Sequence, residues 1–355
     1  MAMMKAVLLR GYGGFEQLDY RDDVAVPVPG PGDVLIRIGA AGVNNTDINT
    51  RTGWYSRTVT LGTAEPAAPV AGDAAASWTG APPSFPRIQG ADACGRIVGV
   101  GAGVDPRRIG ARVLVEPVFR IPGALDRYRV LYFGSETDGA FAQYTCVPTA
   151  YAHAISSALS DAELASFPCA YAAAENMLSR LHVGAGETVL ITGASGGVGS
   201  AAVQLAKRRG ATVIAIAGAE KADAVRALGA SIVLERGARL PALVGREQVD
   251  AVVDIVGGDQ FCDLLDTLRR GGRYATAGAI GGPLVSLDLR TLYLKDLRLL
   301  GCTVLDDAVF PNLIGYIERG EIKPVVASIR PLGEIVQAQQ EFALKRHTGK
   351  IVLIP

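Results

Sequence analysis

The chain predicts an α/β protein in which a β-rich region precedes a doubly wound parallel sheet. Three observations predict it. At 355 residues the chain exceeds the ~100–200 residues usual for one domain, so about two are expected. Beyond Ser160, strand and helix patterns alternate, and the strands are apolar on both faces, as in a sheet covered by helices on each side. Before that point, short β-branched runs are separated by Gly and Pro clusters.

Composition removes several classes of function. Lys+Arg and Asp+Glu both number 35, and a duplex nucleic-acid binder normally carries a basic excess, so no nucleic-acid partner is expected. With 49% apolar and 20% charged residues the chain is of globular type, not disordered. The 43 glycines cluster at strand ends rather than in a repeat, which excludes a collagen-like chain. No apolar run reaches the ~18–20 residues of a membrane span, and the start lacks a secretory apolar stretch. The five cysteines, Cys94, Cys146, Cys169, Cys262 and Cys302, are scattered with no C-x-x-C pair. A disulfide framework or a structural zinc knuckle is not expected; a cytoplasmic protein with buried thiols is.

In chain order, strands are expected at Lys5–Arg10, Val34–Ala40, Arg96–Gly101 and Arg112–Val115. Residues 52–86, rich in Ala, Pro, Gly and Thr and holding Trp54 and Trp78, read as a long surface loop. Helical spacing runs over Asp161–Leu181, with Leu164, Phe167, Tyr171 and Met177 facing inward. Then come strand Thr188–Ile191, helix Gly197–Arg209, strand Thr212–Ile216, helix Lys221–Leu228 and strand Ile232–Leu234. Strand Ala251–Val256, helix Gln260–Arg269 and strand Gly272–Ala277 follow. A helix at Phe310–Arg319 and a strand at Lys350–Ile354 leave this rhythm, so the C-terminal part is expected to pack on the first domain.

The strongest chemical signal is Val189-Leu-Ile-Thr-Gly-Ala-Ser-Gly-Gly-Val-Gly199, a hydrophobic strand running into a glycine turn and a small-residue helix start. Such a turn lets backbone approach a pyrophosphate, while the helix N-terminus offers N–H donors and a favourable dipole. Gly199 permits close helix–strand packing. The candidate phosphate cradle is therefore Ala194, Ser195, Gly196, Gly197, Val198 and Gly199. An NAD site usually places an acid roughly 20 residues beyond the turn, on the ribose hydroxyl. Here Ile216, Ala217 and Gly218 hold no acid, and Lys221 follows. NADP(H) is favoured, with Gly218 and Lys221 at the adenosine end. Lys221 also reads as a solvated first-turn lysine, and Glu220 beside it pulls the other way.

With these motifs in view, the sequence resembles the medium-chain dehydrogenase/reductase superfamily, in its zinc-independent, quinone oxidoreductase-like branch. The likeness runs through Pro29-Gly-Pro-Gly-Asp-Val-Leu-Ile-Arg37, Ala41-Gly-Val-Asn-Asn-Thr-Asp47 and Gly90-Ala-Asp-Ala-Cys-Gly-Arg-Ile-Val98. It continues through Asp138-Gly-Ala-Phe-Ala-Gln-Tyr144, the glycine turn and His347-Thr-Gly-Lys-Ile-Val352. The resemblance implies a GroES-like catalytic domain over 1–152, completed by 305–355, and a Rossmann NADP-binding domain over 153–304, with the active site in the cleft. It also implies a homodimer.

The family's zinc alcohol dehydrogenases take metal ligands at positions that fall here on Asn44, Ala91 and Cys169, and a catalytic zinc needs three protein ligands. No metal is expected. Without a Lewis acid an alkoxide is hard to stabilise, whereas a quinone or enone needs only hydrogen-bond donors and a proton. The resemblance assigns Asn44 and Asn45 together to the nicotinamide end and the cofactor phosphates, Thr46 to a proton-relay hydroxyl and Tyr55 to a cleft phenol that orients or protonates a carbonyl. It assigns Gly278, Ala279 and Ile280 to the carboxamide and Lys350 to the cofactor phosphates.

Structural alternatives stand beside these roles: an Asx turn for the asparagines, a helix N-cap for Thr46, a surface aromatic for Tyr55 and a solvated Lys350. Ala173, Glu235 and the long 52–86 segment depart from the branch. The expected activity is NADPH-dependent, metal-free hydride transfer to a quinone or α,β-unsaturated carbonyl. The rivals are a zinc alcohol dehydrogenase with unusual ligands and a non-catalytic NADP(H)-binding protein.

Overall fold

The structure is a computed structural model that describes residues 2–63, 84–121 and 123–355. Most of the segment read as a surface loop, with Trp78, lies outside the described residues. The chain divides into two compact units. One takes the chain up to Val59, the run that ends at Cys169, and Phe310–Pro355; the second takes the stretch beginning at Thr60, which includes Thr63, and Ala170–Val309.

The first unit is built on Asp33–Gly42, whose buried Val34, Ile36, Ile38 and Ala40 show the period of two expected of a strand with one face inward. It pairs antiparallel with Asp92–Val100 and with Tyr144–Pro148. Its far end pairs with Lys350–Ile354, through Val352 opposite Gly42 and Leu353 opposite Ala41. Val326–Pro331 then runs parallel beside that C-terminal strand. The C-terminal region thus completes the first sheet, with Ile351 and Leu353 in one core with Ile36, Ile97, Phe133 and Phe141. Ala152–Ala154 pairs with Arg112–Val115, which keeps the chain beyond residue 152 in this unit.

The expected helix over Asp161–Leu181 is two helices, Asp161–Leu164 and Pro168–Arg180. Ser160 caps the first through Glu163, whose carboxylate accepts from the Ser160 N–H at 2.8 Å. Pro168 forces the break, because proline disfavours helical backbone in the residue before it and is tolerated only in a first turn. Leu164, Phe167, Tyr171 and Met177 are all buried.

In the second unit six parallel strands take the spatial order third–second–first–fourth–fifth–sixth. They are Thr188–Ile191, Thr212–Ala217, Ile232–Glu235, Val249–Asp254, Leu268–Thr276 and Arg298–Gly301. This is the doubly wound order whose reversal point, between first and fourth strands, opens a crevice at the carboxyl ends. The helix expected over Gln260–Arg269 stops at Thr267, because Leu268 already pairs with Val249. The edge strand Arg298–Gly301 has no counterpart in the sequence reading.

Candidate functional site

The glycine turn lies at the carboxyl end of the first strand of the second unit. Gly193 adopts φ 58, the Ala194 N–H donates to the Ile216 carbonyl at 3.0 Å, and Gly196 caps helix Gly197–Arg208. A Cβ on Gly199 would run into the Gly193 carbonyl and come within 2.7 Å of the Ala194 Cα, so only glycine lets the helix sit this close to its strand. The helix has no acidic side chain in its first turn. Its first N–H groups and dipole therefore suit an anion, and the turn fits a dinucleotide pyrophosphate.

At the end of the second strand, Lys221 is buried, and that burial pushes its ammonium below the usual lysine range. Glu220 holds it up and Arg236 pushes it down; the Arg236 N–H donates to the Ala217 carbonyl at 3.1 Å. The Glu220 carboxylate folds back on Gly218, where a Cβ would meet it at 2.6 Å. Lys221 is therefore not a solvated lysine, and an acid does stand at the strand end, two residues later than the spacing suggested.

Residues 278–282 are less available than expected. The Ile280 carbonyl accepts from the Thr63 N–H at 3.1 Å, its N–H points to the Ile255 carbonyl at 3.5 Å, and the Gly278 carbonyl accepts from the Thr276 hydroxyl at 3.0 Å. Of the backbone groups assigned to a carboxamide, these are committed within the unit. Beneath them lies a carboxylate the sequence reading missed. Asp254, fully buried, accepts from the hydroxyls of Thr192 and Tyr274, each at 2.6 Å, and from the Val256 N–H at 2.9 Å. It ties the ends of three strands together.

The first unit holds the second cluster. Asn44 caps helix Asn45–Thr52, and its N–H donates to the Asp47 carboxylate at 2.7 Å. It is Asn44, not Thr46, that caps this helix, and the asparagine pair forms a helix start rather than a free turn. The Asn44 side chain is spent on both ends: its amide nitrogen donates to Asp92 at 2.8 Å and its oxygen accepts from Lys350 Nζ at 2.5 Å. Lys350 also pairs with Asp92 at 2.5 Å, and both are almost fully buried. That placement corrects the reading of Lys350 as solvated, and commits its ammonium to a carboxylate instead of a phosphate.

The other Asp92 oxygen accepts from the Cys169 N–H at 2.6 Å. Burial raises the Asp47 carboxyl to about 7, against the Asn44 N–H and Lys350, which hold it down. The same burial, with Asp92 adding to it, leaves the Cys169 thiol pushed up to about 12.

A catalytic zinc does not fit this set. The positions its ligands would take hold an amide already bonded at both ends, a methyl group at Ala91 and a neutral thiol. Asp92 is saturated by an ammonium, an amide and a backbone N–H. Among the described residues no three His, Cys, Asp or Glu side chains converge to hold a metal.

Tyr55 stands beside this network rather than on the surface. Thr46 hydrogen-bonds its phenol, Asn49 Nδ2 approaches the same oxygen at 3.5 Å, and the Trp54 ring meets it edge-on with centroids 5.5 Å apart. Burial pushes the phenol above its ordinary range, so it stays protonated at neutral pH. Asn45 Nδ2 donates to Asn49 Oδ1 at 3.2 Å, and Lys345 Nζ donates to Asn45 Oδ1 at 3.0 Å. The structure brings Asn44, Asn45, Thr46, Tyr55 and Lys350 into one unit with Asp92, which the sequence offered only as a displaced carboxylate beside the metal-ligand positions, and adds Asp47, Asn49 and Lys345. The sequence signal for these was weak: Asp47 and Asp92 lay inside quoted motifs, whereas Lys345 lay in none.

Residues 30–157 match the family described as alcohol dehydrogenase GroES-like domain, and residues 197–319 match zinc-binding dehydrogenase. The second match includes none of Asn44, Ala91 or Cys169. A solved structure of a putative alcohol dehydrogenase from Sinorhizobium meliloti 1021 is 46% identical, with a TM-score of 0.90 over 99% of this chain and 97% of that one. The chain is also 28% identical to acryloyl-coenzyme A reductase of Metallosphaera sedula, over 99% of each. It is 27% identical to human quinone oxidoreductase, over 99% of this chain and 98% of that one.

Proposed function

The chain belongs to the medium-chain dehydrogenase/reductase superfamily and is an oxidoreductase, and from that premise we propose that it reduces a quinone or an α,β-unsaturated carbonyl with NADPH and without a metal. The observation that carries this reading is the closed set at Asn44, Asp92, Lys350 and Cys169. It leaves no ligand set for a Lewis acid that would stabilise an alkoxide, which makes alcohol oxidation the harder reaction here. An enone or quinone asks less: a hydrogen-bond donor where negative charge gathers on oxygen, and a proton. Tyr55, whose phenol is held by a hydrogen bond with Thr46, would supply both.

The residues fit the cofactor. Ala194, Ser195, Gly196, Gly197, Val198 and Gly199 would hold the pyrophosphate, and Gly218 and Lys221 the adenosine ribose. Bound NADPH would supply a hydride from its nicotinamide. Buried Lys221, with Arg236 nearby, supports a 2′-phosphate. One observation favours NADH instead: the Glu220 carboxylate against Gly218 is placed to accept a ribose hydroxyl.

Chelator-treated protein offered quinones, enones and simple alcohols, with NADPH and NADH in parallel, tests both questions. Retained quinone or enone reduction with higher kcat/KM for NADPH is expected. Alcohol oxidation that disappears on chelation overturns the metal-free reading, and cofactor binding with no turnover on any substrate replaces it with a binding role. If NADH is preferred, Glu220→Ala should reduce that preference.

A further inference from the structure

Lys345 sits where helix Ile335–Ala343 ends, one residue past its cap Leu344, with φ 51. The residue after a helix cap is usually glycine, because a Cβ is disfavoured in left-handed backbone. The Lys345 ammonium lies 3.8 Å from the centroid of the Phe342 ring, and it donates to Asn45 Oδ1 at 3.0 Å across 300 residues of sequence.

From Asn45 the bonds continue in one direction. Asn45 Nδ2 donates to Asn49 Oδ1 at 3.2 Å, and Asn49 Nδ2 points to Tyr55 Oη at 3.5 Å. Each amide accepts on the lysine side and donates on the phenol side. The dipoles are therefore aligned head to tail, with a full positive charge behind them and the Tyr55 oxygen at their end. Aligned bonds polarise one another, and the effect is greatest where water is excluded. Asp47 and Cys169 act on that oxygen with the opposite sign, disfavouring negative charge.

We propose that Lys345, acting through Asn45 and Asn49, is a positioning residue for Tyr55 that stabilises charge on the phenol oxygen as its proton leaves. The inference rests on the reading of Tyr55 as the donor. A bound nicotinamide cofactor would supply a hydride to the substrate's β-carbon, the alkene electron pair shifting to leave an enolate. The Tyr55 O–H bond breaks, its proton goes to the enolate, and the phenolate left behind is reprotonated from water. The amides carry no proton; they orient and polarise.

The test is a double-mutant cycle of Lys345→Gly and Tyr55→Phe, with Lys345→Arg as the conservative variant, read by steady-state kinetics on an enone with NADPH and by thermal melts. Glycine suits the backbone at this position, so Lys345→Gly should keep or raise Tm. It should lower kcat about 10-fold with KM little changed, and Lys345→Arg should restore most of the loss. In the Tyr55→Phe background Lys345→Gly should cost nothing more. An unchanged kcat in Lys345→Gly, or an equal loss with and without the phenol, overturns the proposal. Full activity in Tyr55→Phe alone overturns instead the reading on which it rests.

Discussion

Asp47 shows how a single side chain can set a pH response. An unfolded aspartate titrates near ~4, whereas this one is raised to about 7 by burial. Between those values the folded chain binds more protons than the unfolded one, so its contribution falls as pH rises and is fully lost above about 7. Asp47→Asn, which keeps an oxygen for the Asn44 N–H but carries no charge, should flatten this dependence. Melts at pH 5 and pH 8 should show the wild type losing Tm relative to the variant at the higher pH; parallel curves would contradict it. The sequence hid this group: its Asn44 partner is local, but its burial and the Lys350 and Asp92 charges that act on it involve segments far along the chain.

The element with most at stake is the strand–turn–helix over Thr188–Arg208. Its strand matched the expected bounds and its helix fell one residue short, because local pattern and chemistry agree there: an apolar run, glycines where backbone must pass, and lysine and arginine in the last helical turn. Gly199→Ala would press a methyl group against the Gly193 carbonyl and the Ala194 backbone, neither of which can rotate away. Overpacking of this kind costs about 1–3 kcal/mol. Cofactor affinity, measured by fluorescence titration, should fall at least tenfold, and affinity within twofold of wild type would show that the turn relaxes at no cost. Elements without such agreement were illegible. The Arg298–Gly301 strand is a short Arg-Leu-Leu-Gly run at a sheet edge, and only its pairing with Arg273–Thr276 makes it a strand.

Across the whole molecule, the chain's length and the change of pattern near Ser160 pointed to two regions, and the loss of that rhythm near residue 305 pointed to a C-terminal return; the observed units divide between Cys169 and Ala170 and between Val309 and Phe310, and the roles of particular side chains were not legible. Lys350, in a Gly-Lys-Ile motif, read as a cation for the cofactor phosphates; in three dimensions its strand pairs with Asp33–Gly42 and its ammonium is drawn to Asp92. Assembly is the other property at this scale. Among the described residues no strand pairs with the outer side of the sixth strand, and Leu284, Leu289, Tyr293 and Leu294 just before it are exposed. We expect a second copy to cover that edge in a homodimer. Sedimentation should give twice the chain mass, and Leu300→Pro, at the edge, should shift it toward the monomer. A wild-type protein that sediments as a monomer at micromolar concentration would remove the expectation.

The pairing of Lys350–Ile354 with Asp33–Gly42 has a consequence for synthesis. A ribosome makes the whole of the second unit before it makes that strand. The six-stranded sheet can therefore close on a nascent chain while the earlier region waits, its apolar strand edge exposed, for a partner translated some three hundred residues later. Chaperone dependence should fall on the first-made part of this protein, and a stop codon a few residues early should leave the sheet of the second unit complete and that of the first unfinished.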